Sequence, residues 1–322
     1  MEVIVLLALL YGYINGLHGS ASIVATLIST RAVAPRAALF TAAIGVTIGP
    51  FVLGVAVART IGAEIIHSEA ATTEVAIAAL ASTIGWNLFT LWLNIPTSFS
   101  QSLVGSLVGA AFAGYGQQAV LSAGLTKALL GLFLSPLLGM AASAMIIKLI
   151  YKLGVFASPR INRWFNRGQI PVAFLVAISF GANDGQKIMG MITLGLVATG
   201  KISTFVIPDW VIAISAAAIG LGTFTGGRRL IRTLGGKFFK IRPVEGFGAQ
   251  MASGIVLFIS GIIGAPVSSS QVVTSAIVGA GSADRIQKVR WLQFQRILIG
   301  WIITIPMSAA LSAAILLLER TL

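Results

Sequence analysis

Two long stretches of the chain, positions 75–126 and 246–283, contain no charged residue. As straight helices they would be roughly 78 and 57 Å long at about 1.5 Å per residue. The hydrocarbon core of a bilayer is about 30 Å thick, so each stretch is too long to cross a membrane only once. We therefore expect both stretches to reverse direction inside a membrane or close to one.

The composition of the whole chain points the same way. Of the 322 residues, 57% are hydrophobic and 10% are charged, and the mean hydropathy is +0.95. Soluble domains carry roughly 25% charged residues, which excludes a water-soluble enzyme or binding domain here. The sequence predicts an all-α polytopic membrane protein, and we place it as a multi-pass protein in the lipid bilayer of the cell (cytoplasmic) membrane.

The charged residues are mostly basic and give a formal net charge of +13. They gather in short segments between apolar stretches, at 31–36, 148–167 and 228–242. This positive-inside pattern places the segments at the cytoplasmic face and argues against a nucleic acid partner. The chain has no cysteine and two histidines, so it offers no thiolate or multi-histidine metal site, and no nucleophile–base pair marks it as an enzyme.

The sequence contains an internal repeat. Segment 97–109 aligns without a gap with segment 267–279, at an offset of 170 residues. Pro136 and Pro306 stand at the same offset inside long apolar stretches. Long internal repeats in a membrane protein are typical of secondary transporters, which bind their substrate at the interface of the repeats.

This duplication divides the chain into three parts. We predict a first transmembrane repeat at 1–152, a basic cytoplasmic linker at 153–169 and a second repeat at 170–322. We expect the repeats to be inverted, each with long transmembrane helices and one re-entrant hairpin. The number of crossings stays open: either the stretch 118–151 crosses twice, kinked near Pro136, or the arms of the hairpins contribute crossings.

Each predicted hairpin contains a proline followed by small polar residues, Pro96-Thr-Ser-Phe-Ser-Gln101 in one and Pro266-Val-Ser-Ser-Ser-Gln271 in the other. Helix N-termini carry free N–H groups and partial positive charge, and hydroxyls add donors, so two such ends suit a tetrahedral oxyanion. The alternative reading is close helix packing by small residues. The candidate anion ligands are Ser20, Thr97, Ser98, Ser100, Gln101, Asn183, Lys187, Ser268, Ser269, Ser270 and Gln271.

The segment Gly181-Ala-Asn-Asp-Gly-Gln-Lys187 places an acid and a base inside an apolar stretch. An ionisable residue within a membrane is costly and indicates a functional site, although Asp184 and Lys187 could simply pair with each other. A carboxylate beside an anion needs a compensating cation, so we expect Na⁺ or H⁺ as the coupling ion and no other cofactor. The candidate cation ligands are Asn15, Ser22, Asn183, Asp184 and Gln186.

These motifs resemble the inorganic phosphate transporters of the PiT type, a family of phosphate permeases. The segment 181–187 resembles the family's second signature, Asn15-Gly-Leu-His18 resembles its first, and both hairpins match its paired proline–serine segments. The resemblance covers nearly the whole chain. It implies inverted repeats, a central phosphate site and symport with Na⁺ or H⁺.

The sequence departs from the family pattern in several places. Gly19 stands where the first signature has an aspartate, Ser22 stands where it has an asparagine, and Gln101 and Gln271 replace histidines. With one carboxylate missing, we expect fewer coupling cations. His18 aligns with Asn183, and it either binds a coupling proton or serves as a neutral hydrogen-bonding group.

The leading hypothesis is a secondary active transporter that imports inorganic phosphate by symport through a site at the membrane midplane, between the two hairpins. One alternative is a carrier for sulfate or another oxyanion on the same scaffold. Another is a passive anion uniporter or channel, suggested by the missing acid at Gly19. Whether the protein forms a homo-oligomer also stays open.

Overall fold

The computed structural model describes residues 1–93, 95, 97–155, 158, 160–226 and 241–321. These residues form eleven α-helices and, apart from an isolated bridge between Ile66 and Val120, no β-structure. The predicted all-α fold is therefore confirmed. The helices are α1 (Glu2–Ser29), α2 (Pro35–Val52), α3 (Ala56–Arg59), α4 (Thr73–Trp92), α5 (Phe99–Tyr115), α6 (Ser122–Leu153), α7 (Ile161–Ala198), α8 (Asp209–Phe224), α9 (Pro243–Ile263), α10 (Ser269–Asp284) and α11 (Trp291–Thr321).

Six of the described helices are long and apolar enough to cross a membrane, namely α1, α2, α4, α6, α9 and α11. Helix α7 is the longest, at 38 residues, and its middle is the polar segment 181–187. Helix α6 continues as one helix through Pro136, so the stretch 118–151 does not fold back on itself. The protein is thus a multi-pass membrane protein.

The order of elements repeats along the chain. Helices α1, α2, α4, α5 and α6 are followed by α7, α8, α9, α10 and α11 in matching order. A short 3₁₀ turn precedes both α6 and α11, at Gln117–Ala119 and Ile286–Lys288. Pro136 and Pro306 lie inside the last helix of each set. The predicted repeat boundaries at 152 and 170 remain a prediction.

Two of the predicted segments overlap the undescribed residues. Most of the basic run 228–242 lies outside the described residues, as does Pro96 of the first hairpin. The predicted linker 153–169 is helical from Ile161, where α7 begins. Residues 161–169, which we expected to belong to the linker, therefore form the first turns of α7.

The helices of one repeat pack mainly on those of the other, through glycines that let the backbones approach closely. A Cβ atom at Gly16 of α1 would lie 2.2 Å from the carbonyl oxygen of Ile219 in α8. A Cβ atom at Gly181 of α7 would lie 2.0 Å from the carbonyl oxygen of Val46 in α2. Helix α1 therefore packs on α8 as α7 packs on α2.

The last two helices of each repeat also pack on those of the other repeat. A Cβ atom at Gly109 of α5 would lie 2.2 Å from the carbonyl oxygen of Ala309 in α11. A Cβ atom at Gly279 of α10 would lie 2.2 Å from the carbonyl oxygen of Met140 in α6. Such reciprocal contacts are what a two-fold relation produces, so the two repeats interleave around an internal two-fold axis.

The long uncharged stretches each form two helices that pack against one another, α4 with α5 and α9 with α10. The helices of the first pair are separated by a non-helical segment after Trp92, those of the second by the segment 264–268. We call these segments the first and the second hairpin tip, taken as residues 97–101 and 264–271. Because the two helices of each stretch pack side by side, the chain reverses direction between them, as expected from the length of the uncharged stretches.

We predict that Gly109→Ala destabilises the protein, because the added methyl group would overlap the α11 backbone. Overpacking of this kind costs about 1–3 kcal/mol, and the melting temperature of the purified protein in detergent measures it. Gly85→Ala is the matched control, since Gly85 also faces α11 but its Cβ would be 4.0 Å from Leu311. Equal melting temperatures for the two variants would contradict the close contact.

Candidate functional site

The two hairpin tips touch at the internal two-fold axis. Ser98 Oγ donates a hydrogen bond to Ser268 Oγ at 2.8 Å, and Gln271 Nε2 donates to Gln101 Oε1 at 3.0 Å. Both contacts join residues at equivalent positions of the repeats, 170 apart. A residue that touches its own counterpart must lie close to the axis, so these four side chains mark the centre of the candidate site.

Two helices begin at this point. Ser98 caps α5, because its hydroxyl accepts a hydrogen bond from the Gln101 backbone N–H at 3.1 Å. Ser268 stands in extended conformation directly before α10. The first turns of both helices carry free N–H groups and partial positive charge, and here the two helix starts share one location.

Thr97 holds the first tip against the preceding helix, α4. The Oγ1 atoms of Thr97 and Thr90 are 2.9 Å apart, and the Thr97 hydroxyl also donates to Asn87 Oδ1 at 3.3 Å. Both partners lie on α4, so these bonds attach the tip to the preceding helix.

Lys187 connects α7 to both tips. Its side chain is fully buried, and its Nζ donates to Ser100 Oγ at 2.6 Å and to the Val267 carbonyl oxygen at 2.7 Å. It also pairs with Asp184, which is 3% exposed. The ion pair considered from the sequence is therefore present, and Lys187 reaches the anion-site candidates as well.

Several buried polar atoms around this centre have no hydrogen-bond partner within the described part of the protein. Leaving such an atom unpaired costs about 1–3 kcal/mol, and buried polar groups in folded proteins are nearly always satisfied. Other unpaired buried atoms lie elsewhere in the described residues, for example at Ser135 and Ser215, so those on α1, α7 and the second tip are available to a polar ligand but do not mark the site by themselves. The atoms are Tyr11 Oη, Asn15 Nδ2, His18 Nε2, Asn183 Oδ1 and Nδ2, Gln186 Nε2, Ser269 Oγ and Gln271 Oε1.

One face of α1 borders the site. Tyr11, Asn15, His18 and Ser22 follow each other at spacings of three or four residues and so share a helix face. The rings of Tyr11 and His18 lie 6.0 and 5.3 Å from the ring of Phe99, the first residue of α5. Tyr11 and Phe99 were not among the predicted site residues, although the four-residue spacing between Tyr11 and Asn15 places both on one helix face.

Other predicted residues turn to different partners. Ser20 Oγ donates to the Leu17 carbonyl oxygen of its own helix at 2.7 Å. Gln186 Oε1 accepts from the backbone N–H groups of Val57 and Ala58 at 2.7 and 3.3 Å and so holds the start of α3. Ser270 is half-buried, one residue beyond the buried Ser269.

The position of the missing acid is filled by an aromatic ring. When Gly16 is matched with Gly181, Gly19 corresponds to Asp184. A Cβ atom at Gly19 would lie 2.3 Å from Cζ of Phe180, which is buried on α7. A carboxylate at position 19 would therefore have to displace this ring, and the two repeats differ in chemistry here.

Comparison with known proteins shows the family to which the chain belongs. The model of the Phosphate transporter family matches residues 15–312. The chain belongs to the phosphate transporter family. A relative from Bacillus subtilis (strain 168), called a probable low-affinity inorganic phosphate transporter, is 39% identical over 96% of this chain and 94% of its own length. A relative of the same description from Rhizobium meliloti (strain 1021) is 37% identical over 96% of this chain and 93% of its own length.

A solved structure described as a sodium-dependent phosphate transporter shares the fold of this family member. The TM-score is 0.86 at 22% sequence identity, and the match covers 100% of this chain and 99% of the other. At this identity the likeness supports the fold alone. It confirms the fold class, and the family match confirms the resemblance drawn from the motifs.

The site of this phosphate transporter family member is balanced in charge at Asp184 and Lys187. Around the pair lie hydroxyls, amides and the starts of two helices, which donate hydrogen bonds to anions. The arrangement can therefore hold an oxyanion, provided that its added negative charge beside Asp184 is compensated.

Proposed function

We propose that this protein imports inorganic phosphate across the cell membrane by symport with Na⁺ or H⁺, as a carrier and not as an enzyme. The observation that carries the proposal is the meeting of the two tips at Ser98, Ser268, Gln101 and Gln271 on the internal two-fold axis. Family membership supports phosphate as the substrate.

In this proposal phosphate binds between the tips, near the bilayer midplane. The tip hydroxyls and the N–H groups of the first turns of α5 and α10 surround its oxygens. Binding brings negative charge close to Asp184, so a cation or proton must enter with the anion. The interleaved repeats then move relative to one another to open the site to each side in turn.

Asp184 favours phosphate over sulfate as the substrate. Phosphate retains a proton near neutral pH and can donate a hydrogen bond to the carboxylate. Sulfate is fully ionised and would leave two acceptors facing each other in a buried site. A sulfate carrier on this scaffold is therefore the second candidate.

Uptake of labelled phosphate into proteoliposomes tests the proposal. We expect accumulation under an imposed Na⁺ or pH gradient, above the electrochemical equilibrium of the anion, with little inhibition by excess sulfate. Strong inhibition by sulfate would favour the sulfate carrier. Uptake that never exceeds equilibrium would indicate a uniporter, and no phosphate uptake under any gradient would refute phosphate transport.

A further inference from the structure

The Lys187 ammonium group is surrounded by three oxygens of different kinds. They are the carboxylate of Asp184 on α7, the hydroxyl of Ser100 in the first turn of α5, and the backbone carbonyl of Val267 in the second tip. Ser100 Oγ also donates to the Val267 carbonyl at 2.9 Å. One cationic atom thus joins α7 to both hairpins.

These oxygens are the ligands that a hard metal cation takes in proteins. Carboxylates, hydroxyls and carbonyls of non-helical backbone bind hard cations because each presents negative charge on a small oxygen atom. An ammonium group is a compact point charge with three N–H donors. At Lys187 three donors face three oxygens, so the group is satisfied without water or an added ion.

The burial of Lys187 agrees with this interpretation. A lysine is almost never fully buried unless it is paired, and Lys187 is 0% exposed. Replacing it by a neutral residue would leave the Asp184 carboxylate among oxygens with no positive charge nearby, which is the environment of an unoccupied cation site. The repeat-related position gives no substitute carboxylate, because Phe180 fills the space beside Gly19.

We propose that the Lys187 ammonium serves as the cation of this site, in the place that a sodium ion would otherwise occupy, so that Asp184 binds no Na⁺ in the native protein. This inference rests on the proposed function, because it names the group that neutralises Asp184 during phosphate transport. It concerns which groups neutralise Asp184, and so it is tested by Na⁺ binding as well as by uptake.

The test compares the native protein with Lys187→Asn, in buffers containing either Na⁺ or choline at equal ionic strength. The asparagine is shorter and neutral, and its side-chain oxygen adds a further ligand for an ion. We expect the melting temperature of Lys187→Asn to rise by about 5 °C in Na⁺, since a bound ligand stabilises the folded state. The native protein should melt at the same temperature in both buffers.

Two control variants separate this site from general salt effects. Lys127→Asn removes a lysine that also contacts a carboxylate and a hydroxyl, Glu64 at 3.1 Å and Thr60 at 2.9 Å, but is about one-third exposed. Water replaces the lysine there, so no response to Na⁺ is expected. Asp184→Asn combined with Lys187→Asn removes the carboxylate and should also abolish the response.

Phosphate uptake supplies the second readout. We expect uptake by the native protein to be unchanged when choline replaces Na⁺, and uptake by Lys187→Asn to become Na⁺-dependent by about tenfold, equivalent to 1.4 kcal/mol. Na⁺-dependent melting or uptake of the native protein would overturn the inference, as would a folded Lys187→Asn that ignores Na⁺. If Lys187→Asn does not fold, a Na⁺ response of the native protein would still overturn the inference. Absence of phosphate uptake by the native protein would refute the proposed function alone, since melting is measured without transport.

Discussion

Replacing Asp184 with asparagine is expected to abolish phosphate uptake and to lower the melting temperature strongly. The change removes the carboxylate that faces the anion in the proposed function, and it leaves the buried Lys187 ammonium without a counter-charge. Breaking a buried ion pair in this way costs about 3–5 kcal/mol. Proteoliposome uptake and thermal melting in detergent measure the two effects separately.

A second substitution separates charge balance from transport. Asp184→Asn combined with Lys187→Gln removes both charges, so much of the lost stability should return while uptake stays absent. Glu74→Gln is the surface control: it breaks the half-exposed pair with Arg320, 3.1 Å apart, and such pairs contribute about 0–1 kcal/mol. Uptake by Asp184→Asn within twofold of the native rate would contradict a role for this carboxylate in transport.

The double variant Ser98→Ala with Ser268→Ala is expected to raise the KM for phosphate by about 100-fold, because each hydrogen bond to a charged ligand contributes about 1.5–3 kcal/mol. Stability should fall by about 1 kcal/mol, because Ser98→Ala removes the cap that accepts from the Gln101 backbone N–H, whereas both partners of the Ser98–Ser268 hydrogen bond are removed together. The concentration dependence of initial uptake rates gives the KM.

The chain offers a matched control for this variant. Ser82 and Ser106 form another buried hydroxyl pair, 3.1 Å apart, between α4 and α5 near α11. Ser82→Ala with Ser106→Ala should leave the KM for phosphate unchanged. A similar rise in KM for both double variants would show that the tips act through packing and do not contact phosphate.

Much of the fold could be predicted from the sequence because the signals are strong and local. Uncharged runs too long for one crossing require reversals, and the matched segments 97–109 and 267–279 reveal the repeat. The pairing of helices between repeats was not predictable, because it depends on close contacts at single glycines. Gly16 packs on Ile219 and Gly181 packs on Val46, so Val46 and Ile219 are equivalent positions, 173 residues apart. The sequence pattern alone does not give this equivalence.

The candidate site was predictable where side chains carry the chemistry. Ser98 contacts Ser268, Gln101 contacts Gln271, and Lys187 contacts Ser100 and Asp184; their role as a binding site stays a prediction. The Val267 carbonyl could not be anticipated, since every residue has one and only the fold selects it. The ring of Phe180 beside Gly19 was equally hidden, because contact between α1 and α7 brings together residues 161 positions apart in the chain.

A crystal structure with arsenate tests the central claim most directly. Arsenate is a tetrahedral oxyanion like phosphate, and arsenic gives an anomalous signal that locates it without bias. We predict one peak between the two tips, with arsenate oxygens within hydrogen-bonding distance of Ser98 and Ser268, and no such peak in the double alanine variant. A peak elsewhere in the protein, or one unchanged in that variant, would contradict binding at the tips.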